Sequence, residues 1–181
     1  MASHRSRVMT LARIAVLSVL GLLLRFQLLQ VSILPAASFL KYDPADIPAI
    51  LAGFAMGPLA GLAVEALKNL LALGAGMAPG GIIGETANIV AGGTFVLVSS
   101  IIYWRHKTRG MAVVGMAAGT VAAAVVMAVA NYYIFLPIWG VPTDQLRMTT
   151  VRFILPFNLI KFTLSSGLTF LLYKRVRPFL G

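Results

Sequence analysis

The residues in this chain that could do chemistry are few, and most come in pairs. Glu65 and Lys68, Glu85 and Asn88, and Asn158 and Lys161 each stand three apart, the spacing that sets two side chains on one face of a helix. Asn131 stands in otherwise apolar sequence, beside Tyr132 and Tyr133. Carboxylates, amides and ammonium groups of this kind can hold a polar solute by hydrogen bonds. The equipment for breaking bonds is missing. The chain has no Cys, which excludes thiol catalysis, disulfides and cysteine metal sites. His4 and His106 lie in basic clusters away from the acidic residues, so no metal-ligand grouping forms. No Ser/His/Asp set falls at a shared position, and no G-x-x-x-x-G-K-[ST] phosphate loop occurs. The Gly-rich stretch 74–82 follows an apolar helix rather than a strand and reads as an outer loop with no nucleotide role. The expectation is a binding protein with no cofactor and no engine of its own.

The elements that must position these groups are apolar helices in lipid. Apolar residues make up 59% of the 181 residues and charged ones 11%, against about 25% charged in soluble domains. The bilayer must solvate most of that surface, and the length suits one bundle. The formal charge of +10 sits in short clusters at the ends of apolar runs, the mark of membrane orientation rather than of nucleic-acid binding. Met1 to Arg13 followed by an apolar run has the outline of a signal peptide, but Arg25 and Phe26 follow where small residues should mark cleavage. A retained first span is expected.

Four stretches are long enough to cross: about 9–29, 83–104, 111–138 and 151–173. The stretch 46–73 could hold one span or two. The basic clusters at Arg5, Arg7 and Arg13, at Arg105 to Arg109, and at Lys174 to Arg177 all belong on the cytoplasmic side. The number of crossings between the first two must then be even, so 46–73 supplies none or two. Gly57-Pro58 breaks it near the middle, giving short helices over 46–56 and 58–73. The expected fold is an all-α membrane bundle of six transmembrane helices with both termini cytoplasmic. Short helices at membrane depth are tolerated where they line a cavity or pack inside protein.

With that orientation Glu65, Lys68, Glu85, Asn88, Asn131, Asn158 and Lys161 all fall toward the outer ends of their helices. Charges at membrane depth face the interior or a watery cavity, so a polar site opening outward is expected. Glu65–Lys68 and Glu85–Lys161 could equally be structural ion pairs. The first outer loop, 30–45, carries Phe39, Leu40, Lys41, Tyr42 and Asp43, which could close over a planar ring. Asp46 reads as a helix N-cap ahead of Pro48. Tyr103 and Trp139 read as interfacial aromatics. Gly53, Gly57 and Gly61, and Gly115 and Gly119, fall at four-residue spacing suited to close helix packing. Ala12, Ala15, Ser18 and Gly21 form a small-residue series on the first span, for internal packing or as a docking face for a partner.

Six blocks together carry a family resemblance. Leu40–Leu51 (LKYDPADIPAIL), Gly53–Gly61 (GFAMGPLAG), Lys68–Leu71 (KNLL), Gly84–Asn88 (GETAN), Asn131–Pro137 (NYYIFLP) and Leu155–Lys161 (LPFNLIK) resemble the riboflavin-specific substrate-binding subunit of energy-coupling factor transporters. They occur in the family's order over roughly residues 20–170; the stretch 74–82 departs from it. The resemblance implies a six-helix bundle in a prokaryotic cell membrane that binds riboflavin from outside. It implies as partners a coupling membrane subunit and two cytoplasmic ATPases. Carried over, Asn131, Asn158 and Lys161 would hydrogen-bond the flavin, with Asn88 a further matched polar position. Phe39 to Tyr42 would pack on the ring, and the small residues of the first span would dock on the coupling subunit. Binding of another vitamin and stand-alone proton-coupled transport through Glu85 or Glu65 are the competing expectations.

Overall fold

A computed structural model describes the backbone of residues 2–180 and the side chains of 7–26 and 28–173. The terminal basic residues Arg5 and Lys174 to Arg177 fall outside the described side chains.

Six helices form the bundle. α1 is Ala2–Leu23, α2 Ile47–Met56, α3 Pro58–Gly74 and α4 Gly81–His106. α5 is Arg109–Ile138 and α6 Thr143–Tyr173, its backbone helical on to Leu180. Three of them, α4, α5 and α6, are long and apolar enough to cross a membrane, and α2 is a shorter apolar helix. The break within 46–73 falls at Gly57, whose φ of 111° needs a residue without a side chain. Pro58 then opens α3, where its missing N–H is not needed.

The first and last helices have boundaries that differ from the sequence expectation. The first helix ends at Leu23 rather than near 29. The amides of Arg25 and Phe26 bond three residues back, to Leu22 and Leu23, and a tight turn follows at Gln27–Leu29. This turn carries Arg25 into the interior, where it is 5% exposed. The last helix begins at Thr143, eight residues ahead of the expected 151.

The long loop between α1 and α2 is pinned as a small hairpin. β1 (Val31–Ser32) pairs antiparallel with β2 (Lys41–Tyr42), Val31 opposite Tyr42. This pairing brings Phe39 and Leu40 back over the bundle.

Both α5 and α6 widen into a π turn, at Asn131–Phe135 and Thr150–Ile154. The amide of Leu136 reaches the Asn131 carbonyl and that of Leu155 the Thr150 carbonyl, each five residues back. Proline follows directly in both, Pro137 and Pro156. Proline has no N–H to give and its ring collides with the carbonyl four back, so the preceding turn expands.

Small residues set the helix spacing away from this end. A Cβ on Gly61 would lie 2.8 Å from both the Ala49 carbonyl oxygen and the Gly53 Cα, and one on Gly115 would lie 2.5 Å from the Ser99 carbonyl oxygen. Gly53, Gly61, Gly115 and Gly119 of the four-residue series are thus close contacts between helices, while Gly57 makes the break between α2 and α3. Tyr103 is not an interfacial residue. It is 3% exposed, its ring 4.5 Å from that of Phe54 and its hydroxyl bonded to that of Tyr173. A partner for both ends of the phenol makes the interior the better place. Trp104, next along, donates from its indole to the Gly53 carbonyl at 2.9 Å.

Gly61→Ala should lower stability by about 1–3 kcal/mol, because backbone has no room to yield. Gly74→Ala, where an added Cβ meets nothing within 4 Å, should be neutral or mildly stabilising. Thermal midpoints of the detergent-purified variants check both.

Candidate functional site

Two of the polar pairs of the sequence, Glu85–Asn88 and Asn158–Lys161, converge with Asn131 on one cavity of about 830 Å³. Its cover is the hairpin loop, which contributes Phe39, Leu40, Lys41 and Asp43. The start of α4 contributes Glu85 and Asn88, the end of α5 Asn131, and α6 Asn158 and Lys161. Of the nine binding residues expected from sequence, only Tyr42 does not line it. Strand alternation turns Tyr42 away from its neighbour Lys41; Tyr42 is buried and Lys41 exposed. Burial pushes the Tyr42 phenol above its ordinary pKa.

The π turns set the two asparagines. Asn131 donates from its amide nitrogen to the Met127 carbonyl at 2.8 Å, and Asn158 to the Ile154 carbonyl at 2.9 Å. Each therefore spends one of its two amide N–H bonds on its own helix and keeps its carbonyl oxygen as an acceptor. Apolar walls face them from Leu40, Ala91, Met127, Leu136, Phe153 and Phe157, with Trp139 at the rim. Trp139, expected at the membrane interface, thus belongs to the cavity lining.

Electrostatics beneath the cavity differ from the sequence expectation in three respects. Glu85 does not pair with Lys161. Arg25 takes Glu85 in a two-pronged pair, one prong at 2.8 Å, and also donates to the Asn69 side-chain oxygen at 3.1 Å. A planar guanidinium matches a carboxylate better than an ammonium does. Lys161 instead sits 3.2 Å from Asp46. Asp46 in turn stands at the N-cap position of α2 as expected, but its side chain bonds no backbone N–H there, because Lys68 and Lys161 hold its two oxygens. The Glu65–Lys68 pair does form, at 2.8 Å, with both residues buried. Asn69 donates to Glu65 at 3.0 Å and so links the two groups of charges. Arg25 was missed because it lies at the end of an apolar run, where a charge reads as a membrane boundary. The buried carboxylate at Glu85 is the signal that demanded it.

The small-residue series on α1 splits. Ser18 is buried, its hydroxyl bonded to the Ile14 carbonyl at 2.8 Å, and Gly21 packs against Lys68 and the Ala45 carbonyl. Ala12 and Ala15 remain exposed. Gly21 has no side chain because the Lys68 stem needs that space.

A family model described as "ECF transporter, substrate-specific component" matches residues 9–173. The chain belongs to this family. The riboflavin transporter RibU of Staphylococcus aureus (strain TCH60) is 33% identical to this substrate-specific component over 176 residues, covering 94% of this chain and 91% of that protein. The riboflavin transporter FmnP of Bacillus subtilis (strain 168) is 34% identical over 151 residues, 78% of this chain and 79% of that one. A solved structure of the S component of a bacterial ECF transporter superposes with a TM-score of 0.81 at 32% identity, covering 96% of this chain and 98% of the other. Membership of a transporter's substrate-specific component agrees with a binding role and no catalysis.

Arg25→Met should destabilise by about 3–5 kcal/mol, since it strands the Glu85 charge in the interior. Arg25→Met combined with Glu85→Leu should recover most of that loss. A double-mutant cycle on unfolding midpoints measures the coupling.

Proposed function

We propose that this chain is the riboflavin-binding subunit of an ATP-driven vitamin uptake transporter. The observation that carries the reading is the cavity. It joins apolar and aromatic walls to two amide acceptors and an ammonium group at one end, beneath a loop bearing Phe39 and Leu40. Riboflavin has the matching parts: a flat apolar ring system, a polar edge with a ring N–H between carbonyl oxygens, and a chain of hydroxyls. In this reading Asn131 and Asn158 accept from the ring N–H or the hydroxyls, Lys161 and Asn88 donate, and Phe39 to Lys41 cover the ring. Glu85 orients Arg25 at the cavity wall, and Tyr42 supports the loop from behind. The names of the relatives favour the same vitamin.

The chain crosses the membrane six times, α2 and α3 making a short hairpin, with both termini cytoplasmic. The three long apolar helices and the basic turn at Arg105 to Arg109 support this topology. It works in the cell membrane of a prokaryote with a coupling membrane subunit and two ATPases, which supply the energy. Ala12 and Ala15 are the exposed part of the face that docks on the coupling subunit. Self-sufficient proton-coupled transport is disfavoured because Glu65 and Glu85 both hold cations.

Purified chain should quench riboflavin fluorescence saturably. Absence of quenching, together with saturable binding of biotin or thiamine, would replace the vitamin and keep the family. Asn158→Leu should weaken riboflavin binding by about 1–3 kcal/mol, which is roughly 5- to 150-fold at about 1.4 kcal/mol per tenfold. Proteoliposomes holding this chain alone should bind riboflavin but accumulate none under a pH gradient; uptake there would point to the carrier.

A further inference from the structure

Lys161 lines the ligand cavity, yet its ammonium is not held by anything else that lines it. Its partner, 3.2 Å away, is Asp46, which stands behind the cavity and is 2% exposed. The second oxygen of Asp46 takes Lys68, and Lys68 also pairs with Glu65 at 2.8 Å. The Asp46 side chain caps no helix. Its position in the chain is particular, since the covering loop ends and α2 begins at this residue.

We propose that Asp46 is a positioning residue for ligand binding, acting through Lys161. A lysine side chain has four rotatable bonds and a compact charge, and alone would sample many positions. The Asp46 carboxylate fixes the Nζ at the cavity wall and orients its remaining N–H bonds toward the ligand. Binding then costs less side-chain ordering. Lys68 is what fixes the carboxylate. Because Asp46 also terminates the covering loop, the same contact ties the Lys161 ammonium that meets the ligand to the segment that closes over it.

This inference rests on riboflavin being the ligand, so wild-type quenching is measured first; its absence would overturn both readings together. With binding established, Asp46→Asn, which keeps shape and loses charge, should weaken riboflavin binding about tenfold. In a Lys161→Gln background the same substitution should change affinity less than twofold. That non-additivity is what a residue of general structural importance would not give. If Asp46→Asn alone fails to fold, the comparison of Lys161→Gln with Asp46→Asn/Lys161→Gln stands, since both charges are removed together there. Unchanged affinity in folded Asp46→Asn, or a further fivefold loss in the Lys161→Gln background, overturns the proposal.

Discussion

The contact on which the arrangement depends is the buried carboxylate of Asp46 between two lysines. Charges at membrane depth are costly, and a lone one more so. Once Asp46, Lys68 and Lys161 are placed there, each must find the others, so α2, α3 and α6 are brought to one relative height. Arg25 does the same for the end of α1, the hairpin loop, α3 and α4, through Asp43, Asn69 and Glu85. Four of the five acidic residues of the chain belong to this linked group. Apolar contacts, which slide easily in lipid, would not fix register so firmly. The other end of the bundle is held differently, by glycine series that let backbones touch.

Much of this was legible in the sequence because two of its rules are strict. Hydrocarbon thickness and the side preference of basic residues set the outline, and the Gly57-Pro58 break divided 46–73 where α2 and α3 divide. Side chains three apart placed Glu85 with Asn88 and Asn158 with Lys161 on the faces that meet at the cavity. Partner choice was not legible. Spacing along a helix shows which residues share a face, but not which helix lies across from it. Lys161 was therefore the ion-pair partner weighed for Glu85 when Arg25 takes it, and Asp46 was read as a cap from its local sequence alone. Tyr103 was misjudged for a similar reason, since aromatic residues at a helix end serve an interface or an interior equally well. The hairpin in the loop gave no signal, being two residues on each side.

The binding site and the scaffold overlap in one polar inventory, since Arg25, Glu85 and Lys161 both line the cavity and take part in the ion pairs. Arg25 holds Glu85, and Lys68 holds Glu65 and one oxygen of Asp46, whose other oxygen faces Lys161. Asn131 and Asn158 each bond one amide N–H within their own helix and keep an acceptor. A site built this way meets a neutral solute with Arg25, Asp43, Glu85 and Lys161 already paired. That arrangement suits a subunit whose task ends with capture and whose energy comes from elsewhere.

The two π turns bear on how the chain can change over generations. Each inserts about one residue relative to a regular helix, and one residue is a rotation of about 100° about the axis. Everything beyond Phe135 on α5, and everything before Thr150 on α6, is thereby turned relative to the rest of its helix. Losing either proline alone would invite the turn to relax and swing Trp139 or Gln145 off the cavity. A single-residue deletion in the same turn would relax it and restore the phase. Descendants of this sequence should therefore exchange these prolines together with a gap at the widened turn, and only rarely by plain substitution.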